Sequence, residues 1–189
     1  MRFRARAADW LVAVAGLLVV LPTAAAAGGG APASLEYPVK ATYLYKFAPF
    51  VTWPEGAFEA PGSPFVLCVA GEDPFGPVLD QATAGQRVGQ HPIIVRRLQR
   101  VDRGVNCHIL FVGALRGQTA ADALAAVKGA PVLTVTDSAL ADSNAGVIQF
   151  VVKDNRVRFS IDGQAAAQSG LVISSKLMSL ALALPRRGT

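Results

Sequence analysis

Phe65-Val66-Leu67-Cys68-Val69-Ala70 is an unbroken apolar run of strand length, and Gly71-Glu72-Asp73-Pro74-Phe75-Gly76 follows it directly. A strand apolar on both sides is what a sheet buried between two layers requires. In the turn, Asp73 suits an N-cap and Pro74 a first helical position, so a short helix is predicted from there to about Thr83. Cys107-His108-Ile109-Leu110-Phe111-Val112 and Pro131 to Thr136 read as further buried strands. His91 to Leu98, after the Gly85 to Gly89 turn, reads as another, and Gly117 to Val127 as a helix with Thr119 and Asp122 near its start. Val147 to Val152 and Arg156 to Ile161 are joined by Asp154-Asn155, a tight-turn pair that predicts an antiparallel hairpin. The predicted fold is a single α/β domain with a mixed, mainly parallel sheet flanked by helices.

Outward from this centre, Tyr37 to Val51 reads as one amphipathic helix. Val39, Tyr43, Phe47, Phe50 and Val51 share a face, Pro38 suits the first turn, and Trp53-Pro54 ends the pattern. At the other end Asp162 is expected to cap a last helix from Gln164 to about Leu184. That stretch is mostly apolar and is followed by Arg186 and Arg187, so a membrane span is one reading. Lys176, Gln168, Ser174 and Ser175 oppose it and favour a helix buried against the sheet or a second subunit.

The N-terminus is read as an address. Arg2, Arg4 and Arg6 precede an apolar run from Trp10 to Leu21, and Ala25 and Ala27 satisfy the small-x-small pattern for cleavage after Ala27. Residues 1–27 are therefore expected to be a signal peptide, 28–36 a flexible leader, 37–184 the domain and 185–189 a basic tail, with a periplasmic destination. Of 189 residues, 52% are hydrophobic and 16% charged, which excludes a disordered chain. The net charge of +5 falls to +3 once Arg2, Arg4, Arg6 and Asp9 are removed. So mild a charge does not point to nucleic acid.

Cys68 and Cys107 are the only cysteines. In an oxidising compartment an even number favours a disulfide, provided that their strands are neighbours. Two buried thiols or a metal role are the alternatives. There is no G-x-S-x-G, no phosphate-binding glycine fingerprint, no C-x-x-C and no H-E-x-x-H. His91 and His108 are read as hydrogen-bonded structural histidines. The Gly71 to Gly76 turn could offer N–H groups to an anion, although Glu72 and Asp73 would repel one, so a capped connection is the simpler reading. Arg87, Arg96, Arg97, Arg100 and Arg103 cluster, and Arg156 and Arg158 share one face of their strand. Lys40, Arg96, Arg158 and Lys176 are candidate anion contacts. Tyr43, Phe47, Phe50 and Trp53 are candidate partner contacts, or core. No catalytic residue, metal or cofactor is predicted.

Several stretches, in order, resemble the YfiR family of periplasmic proteins, the DUF4154 domain. They are Val39-Lys40-Ala41-Thr42-Tyr43-Leu44-Tyr45-Lys46-Phe47, Phe50-Val51-Thr52-Trp53-Pro54, the strand and turn from Phe65 to Gly76, Cys107 to Phe111, Val157-Arg158-Phe159-Ser160-Ile161, and Gly170 to Leu177. The resemblance implies an exported, often dimeric α/β domain without known catalytic activity. It implies a regulator that docks on the periplasmic region of an inner-membrane diguanylate cyclase and represses it, controlling cyclic-di-GMP, biofilm formation and motility. An outer-membrane lipoprotein can sequester such a repressor, and other relatives serve sensor kinases. Cys68 and Cys107 match a family cysteine pair. A second pair is absent, and Asp162 stands where the family usually has Asn. The function expected is repression by contact, with a ligand-binding sensor module as the alternative.

Overall fold

The buried run Phe65–Ala70 (β2) lies within a seven-stranded sheet, and its position in the strand order governs the architecture. The computed structural model describes residues 35–138 and 146–183. The proposed signal peptide, most of the leader and the basic tail lie outside these residues. The other strands are Val51–Thr52 (β1), Arg87–Val88 (β3), His91–Leu98 (β4), Ile109–Val112 (β5), Leu133–Asp137 (β6), Ile148–Lys153 (β7), Arg156–Ile161 (β8) and Val172–Ile173 (β9). The order across the sheet is β3-β4-β2-β5-β6-β7-β8. β4, β2, β5, β6 and β7 run parallel, and β3 and β8 pair antiparallel at the two edges. β1 and β9 form a separate antiparallel pair. The mixed, mainly parallel sheet expected from the sequence is the one observed.

The helices are Glu36–Lys46 (α1), Pro77–Thr83 (α2), Ala120–Ala126 (α3), Gly163–Gln168 (α4) and Ser175–Leu180 (α5). Alternation along β2 sends Phe65, Leu67 and Val69 into the larger core, which includes Ala41 and Leu44 of α1, Leu79 of α2, and Phe150 and Phe159 of the hairpin. Val66, Cys68 and Ala70 face the other way, into a smaller core closed by Ala123 and Val127 of α3. The second face is thinly covered, and there the two cysteines meet. Cys68 on β2 and Cys107 at the approach to β5 form a disulfide with Cα atoms 5.9 Å apart. β2 and β5 are parallel neighbours, which is the condition the sequence reading set.

Four helices differ from expectation. α3 begins at Ala120, capped by Thr119, because Gly117, at φ +73°, lies outside it. α1 stops at Lys46, and a single 3-10 turn, Ala48–Phe50, follows it. Pro49 lacks the amide proton and crowds the preceding turn, so the continuous helix to Val51 is not formed. Asp73 does not cap a helix at Pro74. Its carboxylate accepts the N–H groups of Phe75 and Gly76, and α2 begins at Pro77. The long last helix is two short ones. Asp162 caps α4 as expected, accepting the N–H groups of Gln164 and Ala165. Gly170, at φ +69°, then turns the chain into β9, and Ser174 caps α5. Among the described residues no helix is long and apolar enough to cross a membrane.

The Cys68–Cys107 bond closes a loop with a sequence separation of 39. Loop entropy alone assigns it about 4 kcal/mol. Cys68→Ser is expected to lower the melting temperature by on the order of 10 °C. Reduction of the wild-type chain should reproduce that shift in a thermal melt with and without reductant.

Candidate functional site

In an open α/β sheet, ligands gather outside the carboxyl ends of the strands where the order reverses. Here the reversal lies between β2 and β5, and backbone closes it. The Gly71 N–H donates to Leu98 O at 2.8 Å, Glu72 N–H to Ala114 O at 2.8 Å, and Gly113 N–H to Ala70 O at 2.9 Å. A Cβ on Gly71 would stand 2.3 Å from Ala114 O, and one on Gly113 2.5 Å from Glu72 O, so only glycines allow this crossing. What remains is a hollow of about 300 Å³ lined by Gly71, Glu72, Gln99, Ala114 and Arg116. The neighbouring turn is spoken for as well. Arg97 grips Asp73 and, with both terminal nitrogens, Asp80, and it also donates to Gly76 O. That hydrogen bonding holds the Asp80 carboxyl below the usual range and the guanidinium above its own. The turn is a capped connection.

Further along the same edge lies a buried charge. Lys40 is fully buried, and its ammonium pairs with Asp137, at the end of β6, and with Glu36, one turn earlier on α1. Burial works against the charge, but hydrogen bonds to Asp137 and Glu36 outweigh it and raise the lysine above its ordinary value. The stability that the lysine's raised value brings is therefore present at neutral pH and is lost as pH rises through that elevated value. The rings of Tyr37 and Phe150 lie 5.0 and 5.9 Å from the ammonium. Lys40 cannot serve as an open anion contact, and that expectation is corrected. Its place on the inner face of α1, between Glu36 and Leu44 at four-residue spacing, is the sequence signal for burial that the charge obscured. Asp137 was not singled out, although an acid that closes an apolar strand is such a signal too.

The other three expected anion contacts are scattered. Arg96 is exposed on β4 and donates to Asn106 O, while Arg158 is exposed on β8. Five strand-to-strand steps separate them, about 24 Å. Lys176 is exposed on α5, 5.8 Å from the Phe50 ring. With Lys40 buried and Arg96 far from Arg158, the four do not form one site.

The aromatic set mostly serves packing. Phe47 is 1% exposed, 5.1 Å from Phe159 and 5.9 Å from Phe150 between ring centroids, so it offers no partner surface. Tyr43 is half-buried on Phe47, Phe150 and Phe159. The half-buried Trp53 meets Phe65 edge-on at 5.3 Å and donates its indole N–H to Pro131 O. Phe50 alone lies under a polar neighbour, Lys176. Docking α1 on its own sheet needs the same periodicity as docking a partner, so the pattern could not separate the two.

The histidines fasten the loop between β1 and β2. His108 is buried, accepts the Val66 N–H at Nδ1 and faces Ala57 O with Nε2 at 3.0 Å. These partners fix the neutral tautomer with its proton on Nε2. Phe58 stacks between His91 and His108, with centroids 3.9 and 4.4 Å away, and His91 Nδ1 bonds Ser63 O. Burial lowers the affinity of His108 for a second proton. Among the described residues no group of three or more His, Cys, Asp or Glu is placed to hold a metal.

Among known families, the DUF4154 profile, described as YfiR/HmsC-like, matches residues 37–182. The chain belongs to the YfiR/HmsC-like family. No curated protein matches it significantly. Membership in the YfiR/HmsC-like family is consistent with a periplasmic regulator of cyclic-di-GMP signalling.

Two predictions follow from the buried groups. Lys40→Ala leaves Asp137 without its cation and is expected to cost about 3–5 kcal/mol in urea unfolding. Lys40→Met with Asp137→Asn should recover part of that loss. Separately, the unfolded chain binds a proton at His108 that the folded chain resists. Stability should therefore fall as pH drops below about 6.5, the usual histidine value. His108→Gln is expected to flatten this slope in melts between neutral and mildly acidic pH.

Proposed function

We propose that this chain is a periplasmic, non-catalytic regulator that binds the extracytoplasmic part of an inner-membrane signalling protein, a diguanylate cyclase, and holds it inactive. The observation that carries this reading is the family match over residues 37–182. Its support from physics is that backbone contacts at Gly71 and Gly113 fill the crossing between β2 and β5, where an open sheet of this kind usually holds a ligand. Repression by contact needs the regulator to favour the inactive conformation of its partner, and release needs a competitor with different affinity for the two states. An outer-membrane lipoprotein would serve as that competitor, and a homodimer would present two copies of the surface. The alternative, a sensor of a small anion contacted by Lys40, Arg96, Arg158 and Lys176, is the weaker reading because Lys40 is buried in an ion pair and Arg96 and Arg158 lie on distant strands.

The test is genetic and biochemical together. Deletion of the gene is expected to raise cellular cyclic-di-GMP, and crosslinked recovery from intact envelope should return a membrane protein with a cyclase domain. Unchanged cyclic-di-GMP, with no membrane partner recovered, counts against the proposal. Cys68→Ser should weaken repression in step with its loss of folded protein at growth temperature.

A further inference from the structure

β8 is an edge strand, and its two halves are used differently. Near its end, Leu182 donates its N–H to Phe159 O at 2.8 Å and pairs in parallel with Ser160. Near its start nothing among the described residues pairs with it. In an antiparallel ladder the backbone groups of alternate residues point to opposite sides. The Asp162 N–H donates to Val147 O of the β7 approach, and Leu182 donates to Phe159 O from the other side, so by alternation Arg156, Arg158 and Ser160 bond to β7 and the N–H and C=O of Val157 point outward. The Asp154-Asn155 turn, with φ of 52° and 55°, holds the hairpin at this place.

The side chains add charge. Lys153 and Arg156 are directly opposed partners, both exposed, and Arg158 follows on the same face. Like charges so placed repel. No described acid forms an ion pair with any of the three. Charged edges often serve only to deter pairing. Here the repulsion also selects the occupant. A second copy adding antiparallel about Val157 would set Arg156 against Arg158 of its twin, and a shift by two residues would set Arg158 against itself. A strand with acids at alternate positions and an apolar residue between them would meet the arginines on one face. On the other it would meet the half-buried Val157.

We propose that the first half of β8 is a docking edge for an extended acidic–apolar–acidic segment of another protein, added as a strand. The inference rests on the contact-regulator reading for the source of that segment, and on the β7–β8 hairpin for its chemistry.

The probe is the capped peptide Thr-Glu-Val-Glu-Thr, titrated at low salt into the oxidised full chain and followed by amide exchange and NMR shifts. The expected result is slowed exchange at the Val157 amide. The expected preference is about tenfold over Thr-Lys-Val-Lys-Thr, the sum of two exposed ion pairs. N-methylation of the peptide's central valine should abolish the protection. Arg156→Glu with Arg158→Glu, or Arg158→Glu alone if the pair unfolds the chain, should reverse the preference. Unchanged exchange at the Val157 amide, indifference to N-methylation, or an unaltered preference overturns the proposal. If the double variant still represses the membrane partner and no peptide protects β8, this edge is excluded while the regulatory reading stands. Peptide pairing without any effect on a signalling partner supports the edge and counts against that reading.

Discussion

An ammonium with no access to water holds one end of this molecule together. Lys40 reaches from α1 to Asp137 at the end of β6, so the helix that covers the larger core is fixed to the sheet by charge as well as by packing. A buried pair of this kind need not add net stability over an apolar substitute, but either partner left alone is costly. Its effect is positional: α1 has one favourable place on the sheet. Tyr43 and Phe47 are thereby set against Phe150 and Phe159, and the β7–β8 hairpin acquires its backing on one side.

The two faces of the sheet solve coverage differently. One carries α1 and α2 over a broad aromatic and aliphatic core. The other has the short α3, with the disulfide buried beneath it. Thr119 and Asp122 close a reciprocal capping box at the start of α3, which steadies a helix too short to persist unaided. Toward β7 and β8 the cover thins until Arg156 and Arg158 stand in solvent.

Much of this was legible in the residues. The apolar runs gave β2 and β6 and placed β5, because a parallel strand buried on both sides has no other composition. Asp154-Asn155 marked the hairpin, and Asp162 marked a helix start. What the residues hid was long-range. Pro49 and Gly170 interrupt patterns whose periodicity is otherwise helical. The aromatics of α1 could not reveal which surface they would meet. The pairing of Lys40, a candidate anion contact by sequence, stays hidden because Asp137 is 97 residues away and sequence gives no distance between α1 and β6. Arg97 was read only as part of a basic cluster, yet its acids, Asp73 and Asp80, lie on the connection it secures.

The bond between Cys68 and Cys107 also makes a covalent ring that contains α2, β3 and β4. Tension applied to the two termini would pass through the sulfur atoms and skip that ring. An oxidised molecule tethered between two membranes would therefore lengthen less when pulled than a reduced one, and the segment from β2 to β5 would stay slack until the sulfurs parted.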